Sequence, residues 1–194
     1  ATVVGFARAL EESDRYTRGH SERVSQYAEL IGRKLTLNDK NIELLVWAAL
    51  MHDIGKIGIR NEKLNKPGKL TPEELAMFRT HPAKGKRILE PIPFMADLIP
   101  GALCHHEAWD GNGYPGALMG ENIPLIGRIV AIADSYDAMT SDRSYRKAMP
   151  HDIAMSEIDR CSGSQYDERL VEVFQAAIEE HRAKEISAGN EVLR

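Results

Sequence analysis

A chain of 194 residues is the size of one ordinary domain and buries about 70% of the surface its unfolded form exposes, so neither disulfides nor a structural metal is needed merely to fold it. Lys and Arg number 25 against 29 Asp and Glu, a net charge of −4. That balance excludes a general nucleic-acid or anionic-membrane field, and any anionic substrate has to be held by local cations.

The sequence opens at Ala1 inside an amphipathic segment (Val3, Phe6, Ala7, Leu10), which reads as a helical lead-in over residues 1–12 continuing from a longer polypeptide. From residue 19 to 35 the apolar positions Val24, Tyr27, Ala28, Ile31 and Leu35 share one helical stripe, and His20 lies on it, pointing inward. Residues 41–53, "NIELLVWAALMHD", are apolar nearly all round from Leu44 onward, so this helix is central and carries His52 and Asp53 at its C-terminal end. Its apolar run, 44–51, is far short of the ~20 residues that a membrane helix needs. "GKIGI" then breaks it.

Thr71-Pro72-Glu73-Glu74 is a capping box with proline at the first helical position, and the helix it starts ends before His81-Pro82. A further helix, interrupted or restarted near Pro100, carries Leu98, Ile99, Ala102 and Leu103 into His105 and His106. The next starts at Pro124; its stripe Ile126, Ile129, Val130, Ala133 is continued by two carboxylates, Asp134 and Asp137. A helix from Ile153 and a last one from Leu170 to His181 close a single all-α domain over 1–194, with 184–194 expected to fray. The two cysteines, Cys104 and Cys161, are too few for a disulfide framework and read as small buried residues in a reducing, cytoplasmic compartment; no signal peptide opens the chain.

Five of the seven histidines, His20, His52, His81, His105 and His106, sit on inward faces or at helix ends beside an acid or a proline; His151 falls in the loop through "MPHD" and His181 ends the last helix. Any one alone reads as a hydrogen-bonded core histidine. Together with Asp53 and Asp134 they make seven ligand-type groups on five inward-facing segments, which are costly to bury without partners. A pair of divalent cations satisfies all seven, with an acid such as Asp53 as the bridging ligand. Imidazole and carboxylate without thiolate suit Fe, Mn or Zn. Cys104 points away if Leu103 and His106 face inward. Two such metals about 3.5–4 Å apart can share a hydroxide, lower its pKa toward about 7 and clamp both oxygens of an in-line displacement. That is phosphoester hydrolysis chemistry.

"MHDIGK" around His52-Asp53, followed by "HHEAWDGNGYP" from His105 to Pro115, resembles the HD-GYP subgroup of the HD metal-dependent phosphohydrolases. "YTRGHSERV", "KPGKLTPEE", "HPAKG", "GENIPLIGRIVAIADSYDAMTSDRSYR" and "GSQYDERLV" follow the family's order over nearly the whole chain. The resemblance implies an HD-type helical bundle with additional helices. It implies hydrolysis of cyclic di-GMP to linear pGpG, and onward to GMP, by attack of a metal-bridging hydroxide.

Residue by residue, it implies metal ligation by His20, His52, Asp53, His81, His105, His106 and Asp134, with Asp53 the bridge and part of the catalytic machinery. Lys56 matches a catalytic lysine that contacts the scissile phosphate or the attacking hydroxide. Tyr114 matches a substrate contact in a loop that Gly111, Gly113 and Pro115 turn tightly; without the family, "DGNGYPG" reads as a plain surface turn. Arg143 and Arg146 match cations that hold the phosphates. Glu107 and Asp110 either orient the histidines or cap the loop. Some members resemble a three-metal arrangement with a glutamate one turn before the first histidine. Tyr16 stands there, and neither Glu12 nor Glu22 substitutes, so two metals are expected, iron first and manganese second.

The implied partners are cyclic di-GMP, an N-terminal receiver or sensor domain, a diguanylate cyclase-type protein and a second copy of the chain; DNA and a membrane span are not among them. Other readings stay open: a phosphodiesterase for cyclic GMP-AMP, a nucleotide sensor or interaction module with little turnover, or a di-iron oxygenase. The GYP loop and the Arg143/Arg146 pair favour phosphate over oxygen chemistry.

Overall fold

The computed structural model describes Gly5 and residues 19–59, 71–142 and 147–192, with side chains to 187. The expected lead-in apart from Gly5, and Tyr16, Glu12, Arg143 and Arg146, lie outside the described residues. Eight helices are described: α1 (His20–Lys34), α2 (Asp39–Leu50), α3 (Pro72–Phe78), α4 (His81–Leu89), α5 (Ile99–Cys104), α6 (Leu125–Thr140), α7 (His151–Arg160) and α8 (Glu168–Val192). Short 3-10 turns run over Ile54–Gly58, Pro93–Leu98 and Gly120–Asn122, and no strand is present among the described residues.

Helix boundaries follow local chemistry. The Asn38 side chain caps α2 by accepting from Asn41 N, three residues before the reading from periodicity began. Thr71 and Glu74 form the reciprocal capping box on α3, with Pro72 inside its first turn. Pro100 sits in the first turn of α5, directly after a 3-10 turn, so the interruption read there is a change of helix type. α8 extends to Val192, through most of the polar segment 184–194.

α6 is the central helix and packs on α1, α2, α5, α7 and α8. Val24, Ala28 and Ile31 of α1, Ile129, Val130, Ile132 and Ala133 of α6, and Leu170, Phe174 and Ile178 of α8 form one core. A second core under α2 and α5 joins Ala48, Met51, Ile54, Leu89, Leu98 and Ala102.

Two glycines let the segments between these cores approach closely. A Cβ on Gly55 would lie 1.9 Å from His81 O, and one on Gly127 2.8 Å from Cys104 Cβ. Bare backbone at Gly55 thus seats the turn after Asp53 on the start of α4. Gly127 seats α6 on the end of α5. Gly55→Ala is expected to cost about 1–3 kcal/mol through overpacking, read as a lower denaturant midpoint at unchanged slope; an unaltered midpoint contradicts this packing.

Candidate metal centre

Five segments deliver the seven candidate ligands to one buried point. His20 opens α1; His52 and Asp53 follow the end of α2; His81 opens α4; His105 and His106 follow α5; Asp134 lies on the inner face of α6. His52 and His81 are fully buried, and His20, Asp53 and His105 nearly so.

Asp53 stands between two groups of nitrogens. Its Oδ2 lies 3.3 Å from His52 Nε2 and 3.9 Å from His20 Nε2, while its Oδ1 lies 3.3 Å from His81 Nε2 and 3.9 Å from His105 Nε2. Asp134 Oδ1 joins the first group, 3.3 Å from His20 Nε2 and 3.9 Å from His52 Nε2. His106 joins the second: His81, His105 and His106 each offer an atom within 4.8 Å of the others, as do His20, His52 and Asp134.

Hydrogen bonds fix which nitrogen faces the centre. The Nδ1 atoms of His52, His81 and His105 contact the carbonyl oxygens of Ala49, Phe78 and Gly101 at 2.7, 2.8 and 2.9 Å. A carbonyl only accepts, so each Nδ1 carries the proton and each Nε2 turns a lone pair inward. The Nε2 atoms of His81 and His105 then stand 3.2 Å apart, lone pair to lone pair, and His52 Nε2 is buried with no hydrogen-bond partner. Such an arrangement is repulsive until a cation sits among the nitrogens.

The acid–base balance points the same way. Burial pushes the His81 and His106 rings down to about 4, outweighing the pull of Asp53 on His81 and of Asp134 on His106, and drives His105 well below its usual range. Burial also disfavours charge on His20, but hydrogen bonds to Asp134 and Asp137 raise it to about 9. Burial opposes ionisation of Asp53 too. Lys56 and His52 outweigh it and hold the carboxyl well below the ordinary range.

Lys56 Nζ reaches Asp53 Oδ2 at 2.5 Å and lies 5.4 Å from the centroid of the Phe78 ring. Tyr114 stacks on His106, with ring centroids 4.8 Å apart and planes at 22°, and Arg79 covers the Tyr114 ring at 5.2 Å. Glu107 and Asp110 turn out to cap the loop. Glu107 accepts from Gly116 N and Leu118 N, and Asp110 from Asn112 N. The loop is also tied to the segment before α8, through Asp110 N to Ser164 O and Trp109 N to Gln165 O. This is what "GSQYDERLV" contributes, with Asp167 holding Arg128 at 2.7 Å.

Cys104 is buried against Gly127, and burial raises its thiol to about 11. His151 has partners away from the centre, Tyr136 Oη at 2.8 Å and Glu179 at 2.9 Å.

Sequence reasoning placed Asp137 on the buried stripe of α6 without its partner, and missed Arg23 and Arg79. Asp137 accepts from His20 Nδ1, Arg23 holds Asp137, and Arg79 covers Tyr114. Arg23, one turn beyond His20 on α1, was within reach of helical spacing; nothing in the sequence places Arg79 on a ring thirty-five positions away.

A family model described as HD domain matches residues 6–170. The chain belongs to the HD-domain family. The motif from His105 to Pro115 places it in the HD-GYP subgroup. It is 40% identical over 192 residues to a protein of Vibrio cholerae named cyclic di-GMP phosphodiesterase, covering 91% of this chain and 39% of that one. It is 42% identical over 154 residues to the same organism's 3'3'-cGAMP-specific phosphodiesterase 3, covering 79% and 34%. The HD domain thus spans well under half the length of these relatives. A solved HDG"Y"P protein from Bdellovibrio bacteriovorus shares the fold with a TM-score of 0.67 at 20% identity, over 82% of this chain and 51% of that one. Members of this family bind divalent metal, and the two nitrogen-rich groups on Asp53 have the donor chemistry for it.

Metal-stripped protein should therefore show His81 and His106 titrating near 4 and His20 near 9 in ring-proton NMR. Depressed His81 and His106 stabilise the fold above the unfolded pKa of about 6.5 and lose that contribution as pH falls toward 4; raised His20 contributes below about 6.5 and loses it as pH rises through about 9. Stability should peak near pH 6.5. Three rings titrating together near 6.5 contradict the geometry.

Proposed function

We propose that this domain is a two-cation phosphodiesterase that hydrolyses cyclic di-GMP to pGpG and onward to GMP. The observation that carries the reading is Asp53, one carboxylate oxygen facing each of two inward-turned imidazole groups, with Lys56 2.5 Å from it. His20, His52, Asp134 and one oxygen of Asp53 would hold the first cation; His81, His105, His106 and the other oxygen would hold the second. Imidazole and carboxylate without thiolate suit Fe, Mn or Zn, and the family resemblance puts iron first and manganese second. When bound, the cations supply Lewis-acid stabilisation of a phosphodiester and a water acidified toward neutral pH.

The protein's own groups do the rest. Lys56, with its side chain only 13% exposed, presents a positive charge to the non-bridging oxygens of a phosphate entering beside Asp53. Burial of the surrounding rings keeps bulk water from screening that charge. Tyr114 has its ring stacked on His106, which leaves the phenol edge to meet the nucleotide. Arg79, held over that ring, offers a guanidinium fork to a phosphate farther from the centre, a role that Arg143 and Arg146 share by sequence. Hydrolysis adds water across a P–O3′ bond: the first cleavage opens the ring to one linear pGpG with a 5′-phosphate at one end and a 3′-hydroxyl at the other, and a second cleavage divides it into two GMP.

Cyclic GMP-AMP is the second substrate reading, favoured by the 42% identity to a relative named for it. The sensor reading lacks such support, since the seven ligand-type residues and Lys56 all converge on one point. The oxygenase reading gives no role to a lysine beside the centre. No described helix is long and apolar enough to cross a membrane. We place the enzyme in the cytoplasm, joined in its full length to a receiver or sensor domain and open to a cyclase-type partner or a second copy.

The test is incubation of the metal-loaded domain with cyclic di-GMP and cyclic GMP-AMP in parallel, following linear product by chromatography. Multiple turnovers on cyclic di-GMP are expected, and tight binding without product overturns the reading in favour of a sensor. His52→Ala and Asp53→Ala should each lower kcat at least about 10³-fold with helical circular dichroism retained. Arg79→Gln should raise KM about tenfold with kcat within about threefold, the pattern of lost uniform binding.

A further inference from the structure

Three of the inward-turned histidines donate Nδ1–H to a backbone carbonyl, but His20 is held differently. Its Nδ1 lies 2.7 Å from Asp137 Oδ2, a carboxylate only 1% exposed and one helical turn beyond Asp134 on α6. Asp137 is itself clamped: Arg23 Nε donates to Oδ1 at 2.5 Å, Arg23 Nη2 to Oδ2 at 3.2 Å, and Ser141 Oγ to Oδ1 at 3.2 Å. The clamp joins α1 to α6, the same two helices that supply His20 and Asp134. Its parts recur at helical spacing, with Arg23 three residues after His20 and Asp137 three after Asp134.

A carbonyl and a carboxylate do different things to a ligating imidazole. Both fix the tautomer and the ring plane. A carboxylate also draws the Nδ1 proton toward itself, making Nε2 a stronger donor, and its charge adds to the field on a cation beyond the ring. The two halves of the centre consequently differ. The half with His20, His52 and Asp134 holds a carboxylate of its own and has Asp137 behind His20; the half with His81, His105 and His106 has three imidazoles and only its share of Asp53.

We propose that Asp137, braced by Arg23, is a positioning residue that orients His20 and makes its half of the centre the tighter of two unequal cation sites. The proposal rests on the two-cation reading above. Asp137 contacts His20 and Arg23 contacts Asp137, so each acts through His20. Loss of the clamp frees the His20 ring to rotate and weakens one cation, leaving the His81 half nearly unaltered.

The test is metal binding, read independently of turnover. Apo protein is titrated with Mn(II) in a calorimeter, and dialysed samples are counted by elemental analysis, for the wild type, Asp137→Asn, Arg23→Gln and, as the opposite-half control, His81→Ala. Wild type should show two unequal sites. Asp137→Asn should weaken the tighter one by about 10–100-fold, the usual effect of removing a ligand's orienting partner, and leave the weaker one within about threefold. Arg23→Gln, at a side chain 37% exposed whose loss the fold should tolerate, should weaken the same site about threefold to tenfold. It keeps the question answerable should Asp137→Asn not fold.

His81→Ala should remove the weaker site. Two sites in Asp137→Asn and Arg23→Gln with wild-type affinities overturn this proposal while leaving the two-cation reading intact. A wild type that binds no metal overturns both.

Discussion

Lone-pair repulsion at the centre of the domain is the constraint on which the rest of the structure depends. Backbone carbonyls on three segments take the Nδ1 protons of His52, His81 and His105, which commits their Nε2 atoms to face one another and Asp53. Burial removes the water that could have satisfied them, and it also removes protonation as a remedy for His81, His105 and His106. His20 alone takes a proton readily, because Asp134 and Asp137 flank it. What remains around His81, His105 and His106 is a cage of neutral nitrogens beside ionised oxygens that is favourable only around positive charge.

The helices serve that cage. α2 is apolar from Leu44 onward because that half packs between the two cores, and it ends where it does so that His52 and Asp53 fall in a turn free of helical spacing. The 3-10 turn that follows can rest on α4 because residue 55 is glycine. α4 and α5 then present His81 and His105 close enough for their nitrogens to touch, and α6 closes the cage with Asp134. The loop carrying Tyr114 contributes no ligand of its own; Glu107 and the segment before α8 hold it against His106. The buried centre is thereby framed by a turn, a helix end and a capped loop.

Much of this was legible in the sequence. Helical periodicity and a capping box gave the all-α class and most helix starts, and inward-facing His20 and Asp134 could be read from apolar stripes because burying a charge on such a stripe needs a reason. The grouping into two halves could not be read. It depends on which oxygen of Asp53 faces which ring, a matter of tertiary placement. Arg79 and the role of Asp137 escaped for related reasons: Arg79 reaches its ring only when α3 and the loop are packed together, and Asp137 looks like a second buried acid until His20 is seen beside it. Glu107 could be read either as an orienting partner or as a cap, and only the positions of Gly116 N and Leu118 N decide it. The polar composition of the segment beyond residue 184 marks it as lying outside the core, and α8 carries its helix that far past the core.

The central claim, that Asp53 joins two cation sites, is tested most directly by a crystal structure of the iron-loaded protein with anomalous scattering recorded at the iron edge. Two peaks about 3.5–4 Å apart, one against each oxygen of Asp53, are what the geometry requires. A single peak, or peaks that leave Asp53 uncoordinated, would contradict it.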